Sequence, residues 1–326
     1  MYSEEFETGR IEELRSRVNA ALEAMINSHD HKTGGEVAEL ASSVLLAGGK
    51  RIRPILIQLA YELAGGDSID EIMPLALAFE LIHTATLVHD DINDNAKLRR
   101  GVPTLHEKAG LAKALIAGDW LFVQGFGLGG RYDSEIVELM SYCCAKIATS
   151  ELKQLDHIND LATKPEDYYS IVGGKTAGPF SAGCKAAAIV ANADEKLVTS
   201  MQNFGMELGL AFQLVDDILD LVGDERMGKA RGADVLEGKM TLPLIHSLTL
   251  LHGAPRERLA EVISEFNDGL WDELIELLED AGSFDYARIL VQNHIERALS
   301  ELDNFADCEA KQLILQITEM MTDRHS

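Results

Sequence analysis

The sequence predicts an all-α protein, a single domain of ten or more helices, on three observations. Apolar residues recur at spacings of three and four through most of the 326-residue chain. No series of alternating β-branched strands occurs, and no Asn-Gly or Asp-Gly pair joins two such strands. Only seven prolines are present, and Pro54, Pro74, Pro103, Pro165, Pro179 and Pro243 fall where helices would start or stop.

Taken in order, "IEELRSRVNAALEAMI" (11–26) spaces its apolar residues on one helical face and ends at the polar, glycine-containing "SHDHKTGGE" (28–36). After the break "AGGDSID" (64–70), "MPLALAFELIHTATLV" (73–88) forms a far more apolar helix that runs on into aspartates and stops at "RRGVPT" (99–104). "EIVELMSYCCAKIATSELKQL" (135–155) is amphipathic and is followed by the stop "ATKPED" (162–167). "KLVTSMQNFGMELGLAFQLVDDILDLV" (196–222) continues the period until the glycine-punctuated "GDERMGKARGADVLEGK" (223–239), and "DYARILVQNHIERALSELDNFA" (285–306) restores it. No 20–50-residue repeat and no low-complexity linker divides the chain, so one domain over 1–326 is expected.

Composition narrows the function. A net charge of −25 argues against unspecific nucleic-acid binding and against a polybasic membrane anchor, because both need an excess of cations. The four cysteines, Cys143, Cys144, Cys184 and Cys308, form no C-x-x-C pair and read as reduced structural thiols. "MYSEEFETGR" has no apolar core of a signal peptide, and the 73–88 run is interrupted by Glu80 and His83 and is too short and polar to span a bilayer. A soluble, cytoplasmic protein is expected.

The chemistry is concentrated in "LVHDDINDNAKLRRG" (87–101), where Asp90, Asp91 and Asp94 crowd the end of an apolar helix. Glu80, His83, Leu87, Asp90 and Asp94 step by three, four, three and four, which puts them on one stripe. Like charges at that spacing repel, and the cost rises with burial, so a divalent cation with a taste for hard oxygen is the expected partner. A second D-D-x-x-D lies in "LGLAFQLVDDILDLVGD" (208–224), with Gln213, Asp216, Asp217 and Asp220 at helical spacing. Two such motifs, more than a hundred residues apart, predict two helices facing each other across a metal-filled cleft. Cations accompany them: Lys50, Arg51 and Arg53 in "GGKRIRP", Lys97, Arg99 and Arg100 in "KLRRG", Lys175 beside Thr176 in "GGKTAG", then Lys229 and Lys239. Carboxylate-held metal ringed by Arg and Lys is an environment for diphosphates.

These motifs, in this order and across essentially the whole chain, resemble the trans-isoprenyl diphosphate synthases, the polyprenyl synthetase family. The resemblance implies an all-α homodimer with a deep central cavity in each subunit, and a Mg²⁺-dependent condensation of isopentenyl diphosphate with an allylic diphosphate. It implies that Asp90, Asp94 and Asp216 ligate three Mg²⁺ ions, with Asp91, Asp217, Asp220 and Asp234 in support. Arg99, Lys175, Thr176, Gln213, Lys229 and Lys239 match the grip on the allylic diphosphate. Lys50, Arg53, His83 and Arg100 match the isopentenyl diphosphate pocket, while Glu151 and Gln154 match a less regular site. The residues five and four before Asp90 are the small Ala85 and Thr86 where aromatics would stop elongation early. A product longer than C20, in the hexaprenyl to decaprenyl range, is therefore expected, with a shorter geranylgeranyl or farnesyl product as the alternative if Phe122 and Phe126 form a deeper floor. The product can be handed to membrane enzymes.

Four other readings fit less well. "GFGLGG" (125–130) matches a dinucleotide fingerprint in form only, since no strand precedes it. A class I terpene cyclase would carry an N-x-x-x-S-type second metal motif, and a non-catalytic partner subunit would have lost aspartates or basic residues. An acidic helical scaffold leaves the ordered basic motifs unexplained. The chain departs from the family pattern in lacking the proline many relatives carry after Gly228-Lys229, and in placing Trp120 where a smaller residue is usual. Asn93 fills a variable slot between Asp91 and Asp94.

Overall fold

The computed structural model describes residues 2–28, 34–99, 101–223 and 231–322, with side chains from residue 9 onward. Arg100 and Lys229, two of the basic residues singled out above, lie outside the described residues. The chain divides into two compact units, each built from segments that are interleaved in sequence.

The first unit comprises Met1–Ser141, Ala182–Gln202 and Leu302–Ile317. Its first segment forms α1 (Tyr2–Ser28), α2 (Gly35–Leu45), α3 (Ile52–Leu63), α4 (Ile69–Asn93), α5 (Leu105–Ala109), α6 (Leu111–Gly129) and the start of α7 (Ser134–Asp156). α4 is its axis, buried without interruption from Leu75 to Ile82. Each large apolar side chain so enclosed contributes about 1.5–3 kcal/mol of burial. Near the start of α4, beside Pro74, the Tyr132 hydroxyl stands between two backbone groups of one turn. It accepts from the Leu75 N–H at 3.1 Å and donates to the Glu71 carbonyl. At the other end the helix stops in the aspartate cluster, and Asn95 closes it with φ 49°. Among the described residues the only strands are a minimal hairpin the periodicity did not foresee, β1 (Leu98–Arg99) with β2 (Val102–Pro103), reversing at Gly101 with φ 75°.

α4 packs antiparallel to α6, and small residues set their separation. A Cβ on Gly118 would stand 2.3 Å from His89 Nε2, and one on Gly125 would stand 2.9 Å from Ile82 Cγ1. "GFGLGG" is thus the end of α6 and its passage into the next turn, with no strand before it. Both α4 and α6 are long and apolar enough to cross a membrane by length and composition; α4 is largely buried, whereas α6 exposes Leu111, Leu115, Ile116 and Val123.

The second unit comprises Tyr142–Ser181, Asn203–Glu301 and Thr318–Ser326. It holds the rest of α7, α8 (Pro165–Val172), a π-helical turn over Gly173–Ala177, the start of α9 (Gly178–Val190) and most of α10 (Glu195–Val222). α11 (Ala233–Leu236), α12 (Leu242–Leu250), α13 (Ala254–Ser264), α14 (Trp271–Asp280), α15 (Ser283–Leu302) and the end of α16 (Glu309–Thr322) complete it. Its core gathers Leu214, Ile218 and Leu221 of α10 with Leu244, Leu248, Leu259 and Leu274 of the later helices. That packing holds α10 by one face; within its D-D-x-x-D motif Asp217 and Asp220 are buried and Asp216 is half-buried. No disulfide forms among the four cysteines. Burial pushes the Cys144 thiol up to about 11 and that of Cys184 up to about 12, which suits inert packing.

Candidate active site

The last turn of α4 sets out the first aspartate motif. The Asp94 N–H bonds the Asp90 carbonyl at 2.8 Å, so the two half-buried carboxylates stand one turn apart. Asp91 differs in kind: it is 5% exposed, and its Oδ1 accepts from Arg99 Nε at 2.6 Å. Burial pushes its carboxyl up and the guanidinium partly offsets this. The hairpin explains how Arg99, eight residues on, returns to Asp91, and Thr104 Oγ1 latches it by donating to the Ala96 carbonyl at 2.7 Å. Arg99 thereby neutralises a carboxylate through one of its five N–H groups.

In "GGKRIRP" the three cations take different directions. Arg51 has φ 53°, a left-handed backbone that sends its side chain inward. There Nη1 meets Glu80 Oε1 at 2.6 Å, Nε donates to Asn19 Oδ1 at 3.0 Å and Nη2 to the Leu45 carbonyl at 2.5 Å. Lys50 is exposed, and Arg53 Nη1 lies 3.1 Å from His83 Nε2. Glu80, on the stripe drawn from the sequence, is therefore a structural anchor, while His83 and Arg53 lie in contact. Ala85 is fully buried, and Thr86 is half-buried with its Oγ1 donating to the His83 carbonyl at 2.7 Å. Ile82 and His89, on the same helical face as Ala85, both sit on α6 glycines, which places Ala85 in the α4–α6 seam. Phe122 stacks on His89 at 6.2 Å and on Phe126 at 6.5 Å, forming an aromatic column along that seam.

In the second unit, the π turn carries Lys175 and Thr176. Single π turns inside helical segments frequently mark functional sites. Gly174 permits this one, since a Cβ there would stand 2.0 Å from Ser150 Oγ on α7. Lys175 Nζ meets Glu151 Oε2 at 2.5 Å and donates to Gln154 Oε1 at 2.9 Å, so the irregular "SELKQLDH" motif holds this ammonium. Thr176 Oγ1 donates to Gln213 Oε1 at 2.8 Å, and Gln213 Nε2 donates to Asp217 Oδ1 at 2.8 Å. Asp217 Oδ2 accepts from the Tyr168 hydroxyl at 2.6 Å. Burial, together with the Asp234 and Asp216 charges, pushes the Asp217 carboxyl up against the pull of its hydrogen bonds from Tyr168 and Gln213. Asp220 Oδ2 accepts the Asp234 N–H at 3.1 Å, and Lys239 Nζ lies 3.8 Å from Asp234 Oδ1 and 2.5 Å from Glu237 Oε2. Tyr168 escaped the sequence reading. Its signal was its position seven residues, or two helical turns, before Lys175, and a buried tyrosine hydroxyl needs a partner.

Each motif thus commits its second aspartate to protein donors and keeps its first at an intermediate depth. No group of three or more His, Cys, Asp or Glu side chains gathers to hold a metal by itself among the described residues. Asp90 and Asp94 in the first unit, and Asp216 in the second, each offer carboxylate oxygens, the donor type that suits Mg²⁺ with water and phosphate oxygens completing its shell. The donor chemistry therefore fits a metal bound together with a phosphorylated substrate.

An all-helical fold that sets carboxylate motifs beside Lys and Arg defines a class of proteins that act on diphosphates. The polyprenyl synthetase family model matches residues 35–278. A short chain isoprenyl diphosphate synthase of Methanothermobacter thermautotrophicus is 34% identical over 95% of this chain and 97% of its own. An octaprenyl diphosphate synthase of Haemophilus influenzae is 32% identical over 95% and 93%. Among solved structures, a polyprenyl synthase from Caulobacter crescentus CB15, complexed with calcium and isoprenyl diphosphate, matches with a TM-score of 0.89 and 32% identity over 98% of each chain. The chain belongs to the polyprenyl synthetase family, whose members are Mg²⁺-dependent prenyltransferases making polyprenyl diphosphates. Short-chain and octaprenyl synthases match it almost equally well, so overall similarity does not set the product length.

Proposed function

We propose that the enzyme condenses isopentenyl diphosphate with an allylic diphosphate in 1′-4, trans fashion and releases an all-trans polyprenyl diphosphate longer than C20. The observation that carries the reading is that both D-D-x-x-D motifs and every intervening basic motif are intact in a chain matched by the family model. Asp90, Asp94 and Asp216 hold three Mg²⁺ ions in this reading, and bound Mg²⁺ supplies the Lewis acidity that neutralises the allylic diphosphate. Lys175, Thr176, Gln213, Lys229, Lys239 and Arg99 hold that diphosphate while its C1–O bond breaks and the electron pair leaves with it. Lys50, Arg53, His83 and Arg100 orient isopentenyl diphosphate so that its double bond attacks C1, and a proton is then lost to the released diphosphate. The apolar surroundings keep water from the cation.

Small residues at 85 and 86 support the longer product. The full burial of Ala85 and the aromatic column from His89 to Phe126 favour the second reading, a product of C20 or shorter. In both readings the chain works as a single catalytic domain and a cytoplasmic homodimer, with the exposed apolar face of α6 as a surface for the second copy, and its product passes to membrane enzymes. The test is incubation with Mg²⁺, isopentenyl diphosphate and each of dimethylallyl, geranyl, farnesyl and geranylgeranyl diphosphate, followed by chromatography of the dephosphorylated products. Chains beyond C20 support the first reading and a stop at C20 or below the second. No diphosphate release with any primer overturns both.

A further inference from the structure

Four side chains from three elements close a loop in the second unit. Tyr168 of α8 donates to Asp217 at 2.6 Å, Gln213 of α10 donates to Asp217 at 2.8 Å, and Thr176 of the π turn donates to Gln213 at 2.8 Å. The π turn is the direct continuation of α8, so the chain leads from Thr176 back to Tyr168. Tyr168 is 5% exposed and Asp217 is 2% exposed, and both carboxylate oxygens of Asp217 already receive a proton donor. This is a positioning group more than a ligand-binding one.

The polarity of the loop has a consequence. A threonine hydroxyl has one proton, and Thr176 gives it to Gln213. Diphosphate oxygens only accept, so Thr176 cannot serve Gln213 and a diphosphate together. When its proton turns to a phosphate, the Gln213 carbonyl loses its donor while the Gln213 amide is still tied to Asp217, the neighbour of Asp216.

We propose that Tyr168 is a positioning residue of the synthase, and that the Tyr168–Asp217–Gln213–Thr176 chain couples the engagement of a diphosphate by Thr176 to the placement of Asp216 for metal. This rests on the reading above, in which Thr176 and Asp216 serve the allylic diphosphate. The relay gives α8 a function apart from packing: it fixes the ends of the π turn and of the metal-bearing helix to each other.

The test is Tyr168→Phe in the full chain, which removes one hydroxyl and keeps the ring. The relay predicts a folded protein whose half-saturating Mg²⁺ concentration rises several-fold and whose kcat/KM falls about 10–100-fold, the range seen when support behind a ligand is lost. It also predicts that Thr176→Val costs at least about three-fold less in the Tyr168→Phe background than in the wild type, because a broken relay has nothing further to transmit. A lowered Tm with unchanged Mg²⁺ dependence, or two effects that simply multiply, overturns it. If Tyr168→Phe does not fold, Gln213→Met cuts the chain at its middle and enters the same cycle with Thr176→Val. The thermal shift produced by Mg²⁺ plus inorganic diphosphate is measured on every variant, and the relay predicts a smaller shift in Tyr168→Phe. That arm needs no turnover: a wild type that releases no diphosphate defeats the synthase reading, while the shift still decides the relay.

Discussion

Arg51 and Arg53 are two positions apart in "GGKRIRP", yet they meet different partners. Arg51 is sealed inside against Glu80, and Arg53 stands beside His83. Arg51→Ala leaves a buried, unpaired carboxylate, and breaking a buried pair in this way costs about 3–5 kcal/mol. Urea denaturation will show that loss as a lowered midpoint. Arg53→Ala should instead raise the KM for isopentenyl diphosphate about ten-fold or more with a much smaller change in midpoint, since charge-assisted bonds are each worth about 1.5–3 kcal/mol. At Asp90 the expectation is catalytic: Asp90→Ala keeps the helical circular dichroism and lowers kcat by about 10²–10³, the scale of losing one group that stabilises developing charge. Retention of activity by this variant would remove Asp90 from the metal site. The stripe from Glu80 to Asp94 was readable because i, i+3 and i, i+4 neighbours are fixed by local geometry. That Glu80 pairs with Arg51 was not, because it depends on a left-handed backbone at Arg51 and a partner 29 residues away.

At the scale of elements, the α4–α6 seam sets helix packing, and in the proposed reading it also sets product length. Gly118→Ala drives a methyl into the His89 ring, and overpacking of this kind costs about 1–3 kcal/mol. The same seam supplies a ruler test. Ala85→Phe should shorten the product, and Phe122→Ala should lengthen it if the stacked column is the floor. An unchanged length distribution in both variants would take the ruler away from these helices. The apolar period announced α4, whereas the glycines of α6 entered the sequence reading only as a dinucleotide-like form with no strand before it. Which glycine meets which side chain is a matter of register between helices, and nothing in a single helix encodes that. The π turn is a similar case. "GGKTAG" was legible as a basic break, but its geometry follows from Gly174 pressing on Ser150 of α7.

For the molecule as a whole, a net charge of −25 makes the pH response a matter of which carboxylates are held. Glu207 is half-buried, with Oε2 2.6 Å from His294 Nδ1 and 2.8 Å from Arg297 Nε. Burial alone would raise its pKa, but the hydrogen bonds from His294 and Arg297 outweigh it, so the folded value lies below the ordinary 4.5. A depressed acid adds stability above its unfolded pKa and loses it as the pH falls through the folded value. Thermal melts should therefore show wild type and Glu207→Gln converging as the pH is lowered below 4.5, with the variant less stable near neutrality. A constant gap across that range would show that Glu207 contributes packing alone.

By itself the sequence determined the all-α class, the two aspartate motifs, the order of the basic motifs and hence the family. All of these are local: a period of 3.6 residues, a carboxylate spacing or a short motif is complete within a turn or two of chain. Tertiary structure decided which member of each motif is buried and what it pairs with. It buried Asp91 against Arg99 and Asp217 against Tyr168 and Gln213, turned Arg51 inward, and gave Lys175 to Glu151 and Gln154. The physical reason is that the role of a charge depends on its burial and its partner. Tyr168 and Asp217 are 49 residues apart, so their meeting is settled by how the helices pack.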